Sequence, residues 1–118
     1  MGMRGVLDRS WSITRAYARY LLDQRLVLLA GGVFYGGLFY GRTKDISEGG
    51  LGATIAGELN PKEPVQLDFC LPGEETPLRI TAAVCYHQGF QYGFKFVGAT
   101  AEQRAMIREA VLRLPLAP

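Results

Sequence analysis

Residues 64–97, PVQLDFCLPGEETPLRITAAVCYHQGFQYGFKFV, decide the fold. Val65, Leu67, Phe69 and Leu71 alternate with Gln66, Asp68 and Cys70, and Phe90, Tyr92, Phe94 and Phe96 alternate with Gln91, Gly93 and Lys95. A period of two puts one face of each run in a core and the other in water. Pro72-Gly73 and His87-Gln88-Gly89 stand between the runs as turn signals. The stretch therefore predicts three strands, at 64–71, 77–86 and 90–97. Upstream, the same punctuation marks strands at 25–31, 36–44 and 50–57, with Glu48-Gly49-Gly50 and Asn60-Pro61 between them. Six short strands of this kind predict an all-β, antiparallel, six-stranded barrel.

One part of this pattern imitates a membrane span. Positions 26–41, LVLLAGGVFYGGLFYG, carry no charge, yet the run is sixteen residues long and holds Gly31, Gly32, Gly36, Gly37 and Gly41. A spanning helix needs about 20 apolar residues, and glycines suit bends. The run predicts a β-hairpin that reverses within 31–37 and no membrane insertion.

The period changes at the end of the chain. Thr100 and Gln103 make a capping box, and Met106, Ile107, Ala110, Val111 and Leu114 recur at helical spacing opposite Glu102, Arg104, Arg108, Glu109 and Arg113. This predicts an amphipathic helix over about 100–114, ended by Pro115 and packed on the barrel. Residues 1–24 hold no clear period: Arg4, Arg9, Arg15 and Arg19 are interleaved with Trp11, Tyr17 and Tyr20. They read as a flexible basic arm and loop before a barrel domain at 25–118.

The 118-residue chain is 48% hydrophobic, which excludes a disordered class. Its net charge of +2 is unevenly placed: residues 1–44 sum to +5 and residues 45–118 to −3. An anion belongs at the basic end. Cys70 and Cys85 lie in alternating apolar surroundings with no secretory signal ahead of them, which predicts reduced thiols in the cytoplasm. The chain has one histidine, His87, and two separated cysteines, so no metal set of sound spacing exists. Asp45-Ile-Ser47-Glu-Gly49 lacks only the first glycine of a GxSxG nucleophile elbow. That elbow needs a strand-to-helix turn, whereas another strand follows here, and His87 falls in a hairpin turn. The expectation is a protein that is not an enzyme. A binder of DNA or RNA would call for a broader basic surface than this charge provides.

Two short patterns remain. Arg15-Ala-Tyr-Ala-Arg19 reads RxxxR, and after 25 intervening residues Asp45-Ile-Ser47-Glu-Gly-Gly50 reads DxSxxG. In this order they resemble the ligand signature of the PilZ domain family, receptors for cyclic di-GMP. Leu51-Gly52, Tyr92-Gly93-Phe94-Lys95-Phe96 and the terminal helix are also similar to the family's strands and helix. Thr14 stands where the family often has a further arginine, and Cys85-Tyr86 where it often has tryptophan. A second RxxxR, Arg104 and Arg108, reads as ordinary decoration of a helix surface.

The resemblance implies a ligand that is a dianion with two guanines, and a site made of Arg15, Arg19, Asp45, Ser47 and Gly50. A guanidinium pairs bidentately with guanine O6 and N7 or clamps a phosphate, which lysine does not reproduce. Asp45 would accept from the guanine N1–H and N2–H₂ edge, Ser47 would bridge to base, phosphate or backbone, and Gly50 would permit close backbone approach. Trp11, Tyr17 and Tyr20 either stack on a base or anchor the arm. The implied function is a cyclic di-GMP receptor without a cofactor, whose arm closes on the nucleotide and so regulates a protein partner in motility, exopolysaccharide or pilus output. The alternative is a degenerate adaptor that binds a protein without nucleotide. Monomer and homodimer both remain open.

Overall fold

The computed structural model describes residues 17–30, 37–61 and 63–118. Among them the chain forms strands β1 (Tyr20–Leu21), β2 (Arg25–Ala30), β3 (Gly37–Ser47), β4 (Gly50–Ile55), β5 (Val65–Phe69), β6 (Leu78–Gln88) and β7 (Gln91–Phe96), and helix α1 (Ala101–Val111). Every pairing is antiparallel, in the order β3-β2-β5-β6-β7-β4, and β4 returns to β3 to close a six-stranded barrel. The two-residue β1 is an extra strand on the outer edge of β3.

The barrel forms where alternation was strongest. Leu26, Leu28, Leu67, Phe69, Ile80, Ala82, Phe94 and Phe96 all turn inward and are at most 3% exposed. Helix α1 covers the barrel with Ile107, Ala110 and Val111. Thr100 caps it: the Gln103 N–H donates to Thr100 Oγ1 at 3.0 Å and the Thr100 N–H donates to Gln103 Oε1 at 3.0 Å. Ala30 stands opposite Gly37, as a β2–β3 hairpin requires, and residues 31–36 of the stretch 31–37 where the reversal is expected lie outside the described residues. No helix among the described residues is long and apolar enough to cross a membrane.

Several boundaries differ from the sequence reading. The hairpin turn after β6 is Gly89-Phe90 and not His87-Gln88-Gly89, because Gln88 pairs directly with Gln91. Gly89 adopts φ +62° and Phe90 does not follow it into positive φ, the pattern of a two-residue turn with glycine first. Phe90 is consequently 65% exposed at the turn and outside the core. His87 lies on β6, where its ring stacks on Tyr92 at 4.1 Å between centroids. Part of the segment read as arm is built into the fold: Leu22 is buried, and Thr43 Oγ1 donates to Leu22 O (2.7 Å) and accepts from the Gln24 N–H (2.8 Å). The chain on either side of Leu22 is thus stapled to β3.

Candidate functional site

The site begins with a fault in β3. Phe39, Gly41 and Thr43 take the inward positions, but the register with β4 shifts between Thr43 and Asp45, and Ile46 becomes the next fully buried residue. A bulge adds one residue and reverses the phase of everything after it. Asp45, which unbroken alternation would turn into the core, is thereby only partly buried, on the barrel surface facing β1. Arg19, just before β1, donates from Nη1 to Asp45 Oδ1 at 2.8 Å, with the two side chains 21% and 18% exposed. The Gly52 N–H donates to the same oxygen at 3.1 Å. Charge-assisted bonds of this length are the strong ones, so Asp45 fixes where the Arg19 guanidinium sits. The second carboxylate oxygen keeps acceptor capacity for another donor.

A second bulge lies on β6, where the register with β7 shifts between Val84 and Tyr86. Across the four neighbouring strands the pairing then runs Asp45, Gly52, Gly93, Tyr86. At both central positions a side chain would crowd its neighbour. A Cβ on Gly52 would come within 2.9 Å of Asp45 Oδ1, and one on Gly93 within 3.1 Å of Tyr86 Cβ. The result is a floor without side chains between an acidic wall and an aromatic one. Above it opens a cleft of about 740 Å³, lined also by Arg19, Lys44 and Gln91, a size typical of small-molecule sites at roughly 300–1,000 Å³. Cys85, in the bulge, is exposed as a residue, but desolvation of its thiol raises its pKa, with the nearby Arg19 opposing.

The remaining residues of the DxSxxG pattern shape the turn from β3 to β4. Ser47 is 1% exposed; its Oγ accepts from the Gly49 N–H (3.2 Å) and donates to Gly50 O (3.4 Å). The structure thus gives the hydroxyl to the turn. Gly50 sits where a Cβ would lie 2.1 Å from Phe94 O, so it permits the close approach of β4 to β7. Neither Gly49 nor Gly50 has positive φ. The turn joins two strands and no helix, unlike a nucleophile elbow.

The helix reaches this turn. Arg108 Nη2 donates to Glu48 Oε1 at 2.6 Å, and Arg104 Nη1 donates to Glu48 O at 3.4 Å. The hydrogen bond from Arg108 holds the Glu48 carboxyl below its ordinary range. The second RxxxR is therefore a link between α1 and the turn, which corrects the surface-decoration reading. Its carboxylate partner lies 60 residues away, a contact no local pattern announces. Tyr17 packs its ring against Gly49, and Tyr20 packs against the core. Both make the anchoring contacts that were one of the two options for these aromatics. Arg15, Thr14 and Trp11 lie outside the described residues.

Of the predicted ligand residues, the fold brings Arg19 and Asp45 into direct contact at the cleft and sets Ser47 and Gly50 in the adjoining turn. Sequence reasoning missed Lys44, Tyr86 and Gln91, which the two bulges and the β7 register carry to the cleft.

The described residues thus form a small closed barrel with a capping helix and a glycine-floored cleft lined by Arg19, Lys44 and Asp45. The PilZ domain model matches residues 13–113, and the chain belongs to the PilZ domain family. Among solved structures, the PilZ domain of YcgR from Escherichia coli with c-di-GMP aligns with a TM-score of 0.65 at 16% identity, covering 85% of this chain and 90% of that one. The PilZ domain of CeSA from a cellulose-synthesizing bacterium aligns at 0.60 and 19%, covering 80% and 94%. The Bacillus subtilis inhibitor of motility MotI aligns at 0.66 and 17%, covering 84% of this chain and 49% of that one. No curated protein sequence matches the chain significantly.

Proposed function

We propose that this protein is a cyclic di-GMP receptor and not an enzyme. The observation that carries the reading is the Arg19–Asp45 pair at the edge of the glycine floor, where the two halves of the family's motif meet at 2.8 Å. Arg15 and Arg19 take guanine O6 and N7 or a phosphate. Asp45 orients Arg19 and offers its second oxygen to the donor edge of a guanine. Lys44 adds a cation on the same cleft for a dianionic ligand. Ser47 and Gly50 hold the turn that follows Asp45. A planar base fits a floor that lacks side chains. The YcgR domain, a structural relative bound to this nucleotide, supports the assignment.

Binding in this reading draws the arm that carries Arg15 over the cleft. That shifts the balance between two arm positions and with it the surface offered to a cytoplasmic protein partner. The test is isothermal titration of the protein with cyclic di-GMP, beside the Arg15→Ala/Arg19→Ala double variant and a GTP control. Saturable heat that the variant and the control both lack supports the receptor. A folded protein that gives no heat with cyclic di-GMP refutes it.

One observation favours the second reading, an adaptor for a protein partner. Leu29, Leu38 and Tyr40, neighbours on the outer face of β2 and β3, are 49%, 54% and 65% exposed. Refutation of the receptor would leave this apolar face as the working surface.

A further inference from the structure

The segment that carries Arg19 is held from two sides. On one, Tyr20 and Leu21 pair with Ile46 and Asp45 of β3. On the other lies the stretch after helix α1. The Leu21 N–H donates to Pro115 O at 2.8 Å, the Ala117 N–H donates to Arg19 O at 2.9 Å, and Leu116 bridges to Tyr20. β1 is only two residues long, and a two-stranded pairing of that length is marginal in water. The tail adds a third strand's worth of main-chain bonds, one of them to Arg19 itself. Ala117 also stands on the cleft wall.

The tail starts from a fixed point. Its helix is buried through Ile107, Ala110 and Val111 and tied to the DxSxxG turn through Arg104, Arg108 and Glu48. The C-terminal segment therefore contacts both halves of the candidate site: the turn after Asp45 through the helix, and the backbone of Arg19 through the tail.

We infer that residues 115–117 are a positioning element for Arg19, holding its backbone beside the cleft so that Asp45 can set the guanidinium there before an anionic nucleotide arrives. This rests on the receptor reading for its ligand but not for its geometry. Fixing the Arg19 backbone leaves only side-chain freedom to be lost on binding, which is how preorganisation raises affinity. Pro115 and Ala117 act through Arg19 and need no contact with the nucleotide.

The test compares the parent chain, Ala117→Pro, Ala117→Ser and a chain ending at Leu114. Two quantities are read: amide hydrogen exchange and cyclic di-GMP affinity. Ala117→Pro removes the donor to Arg19 O, Ala117→Ser keeps it, and the shortened chain removes the acceptor of Leu21 as well. The shortened chain is expected to exchange the Leu21 amide at least about tenfold faster, with the Leu28 and Leu67 amides unchanged. Ala117→Pro and the shortened chain are expected to bind cyclic di-GMP about three- to tenfold more weakly, the range of one backbone hydrogen bond, while Ala117→Ser binds as the parent does. Unchanged Leu21 exchange overturns the inference. So does equal or tighter binding by the shortened chain, which would make the tail an obstruction. A parent chain that gives no binding at all, with Leu21 still released by shortening, refutes the receptor and leaves the tail's hold on Arg19 intact.

Discussion

The barrel has two unlike sides. On β2, β5 and β6 the partners follow one another without interruption, from Leu26 opposite Phe69 to Ala30 opposite Val65, and from Val65 opposite Ala82 to Phe69 opposite Leu78. On the other side, β3 and the far end of β6 each carry a bulge, and the β4 and β7 positions between Asp45 and Tyr86 are glycines. The regular side obeys alternation because its only task is to bury one face. The bulged side breaks alternation at two places, and both breaks deliver side chains to the cleft. In this molecule, departures from the pleat mark the candidate site, and the regular ladder marks the support.

The comparison breaks most visibly if a support residue is truncated. Ile80 is fully buried, and Ile80→Ala should cost about 2–5 kcal/mol of stability in a urea titration while the folded fraction keeps its nucleotide affinity. An affinity loss in that fraction would show that the two sides are not separable. Next in size is Gly50→Ala. Its Cβ would press on Phe94 O, and overpacking of this kind costs about 1–3 kcal/mol. A variant of parental stability but weaker binding would move Gly50 from barrel closure to ligand contact.

Arg19→Ala sharpens the comparison from the other side. Loss of a bidentate contact of about 1–3 kcal/mol weakens binding of cyclic di-GMP by about one to two orders of magnitude, and Arg19→Lys should not restore it fully. Thermal unfolding of Arg19→Ala should also fall, because the mostly covered Asp45 carboxylate loses a charged donor and keeps the Gly52 N–H. The smallest effect concerns Glu48. Arg108 lowers its pKa from the ordinary 4.5, so the link between α1 and the turn contributes stability above that value and loses it as pH falls through the lowered one. In an acid titration followed by denaturant unfolding, Arg108→Ala should remove the part of the pH dependence that belongs to Glu48. An acid limb identical in parent and variant would show the link to be energetically silent.

The regular side was legible in the sequence for a physical reason. Val65, Leu67 and Phe69 of β5 report their own burial through a local period. The bulged side was not. Lys44 and Asp45, two polar residues in succession, end the alternation of β3 and so imitate a strand end, although the strand continues to Ser47. Cys85-Tyr86 hides the β6 bulge in the same way, and placed the turn two residues early. β1 is too short to have a period, and its pairing with the tail joins residues almost a whole chain apart. Arg19 and Asp45 were found through the spacing of a motif. Their 2.8 Å contact depends on a bulge and a staple at Thr43 that no spacing encodes.

The central claim is that the bulged, glycine-floored side is where the nucleotide sits, and amide chemical-shift mapping during a cyclic di-GMP titration tests it most directly. The account predicts that Asp45, Gly52, Tyr86 and Gly93 shift with a common saturation curve while Leu28, Leu67 and Ile80 stay fixed. Saturable shifts centred on the β2–β5–β6 side, with Gly52 and Gly93 unmoved, would contradict it.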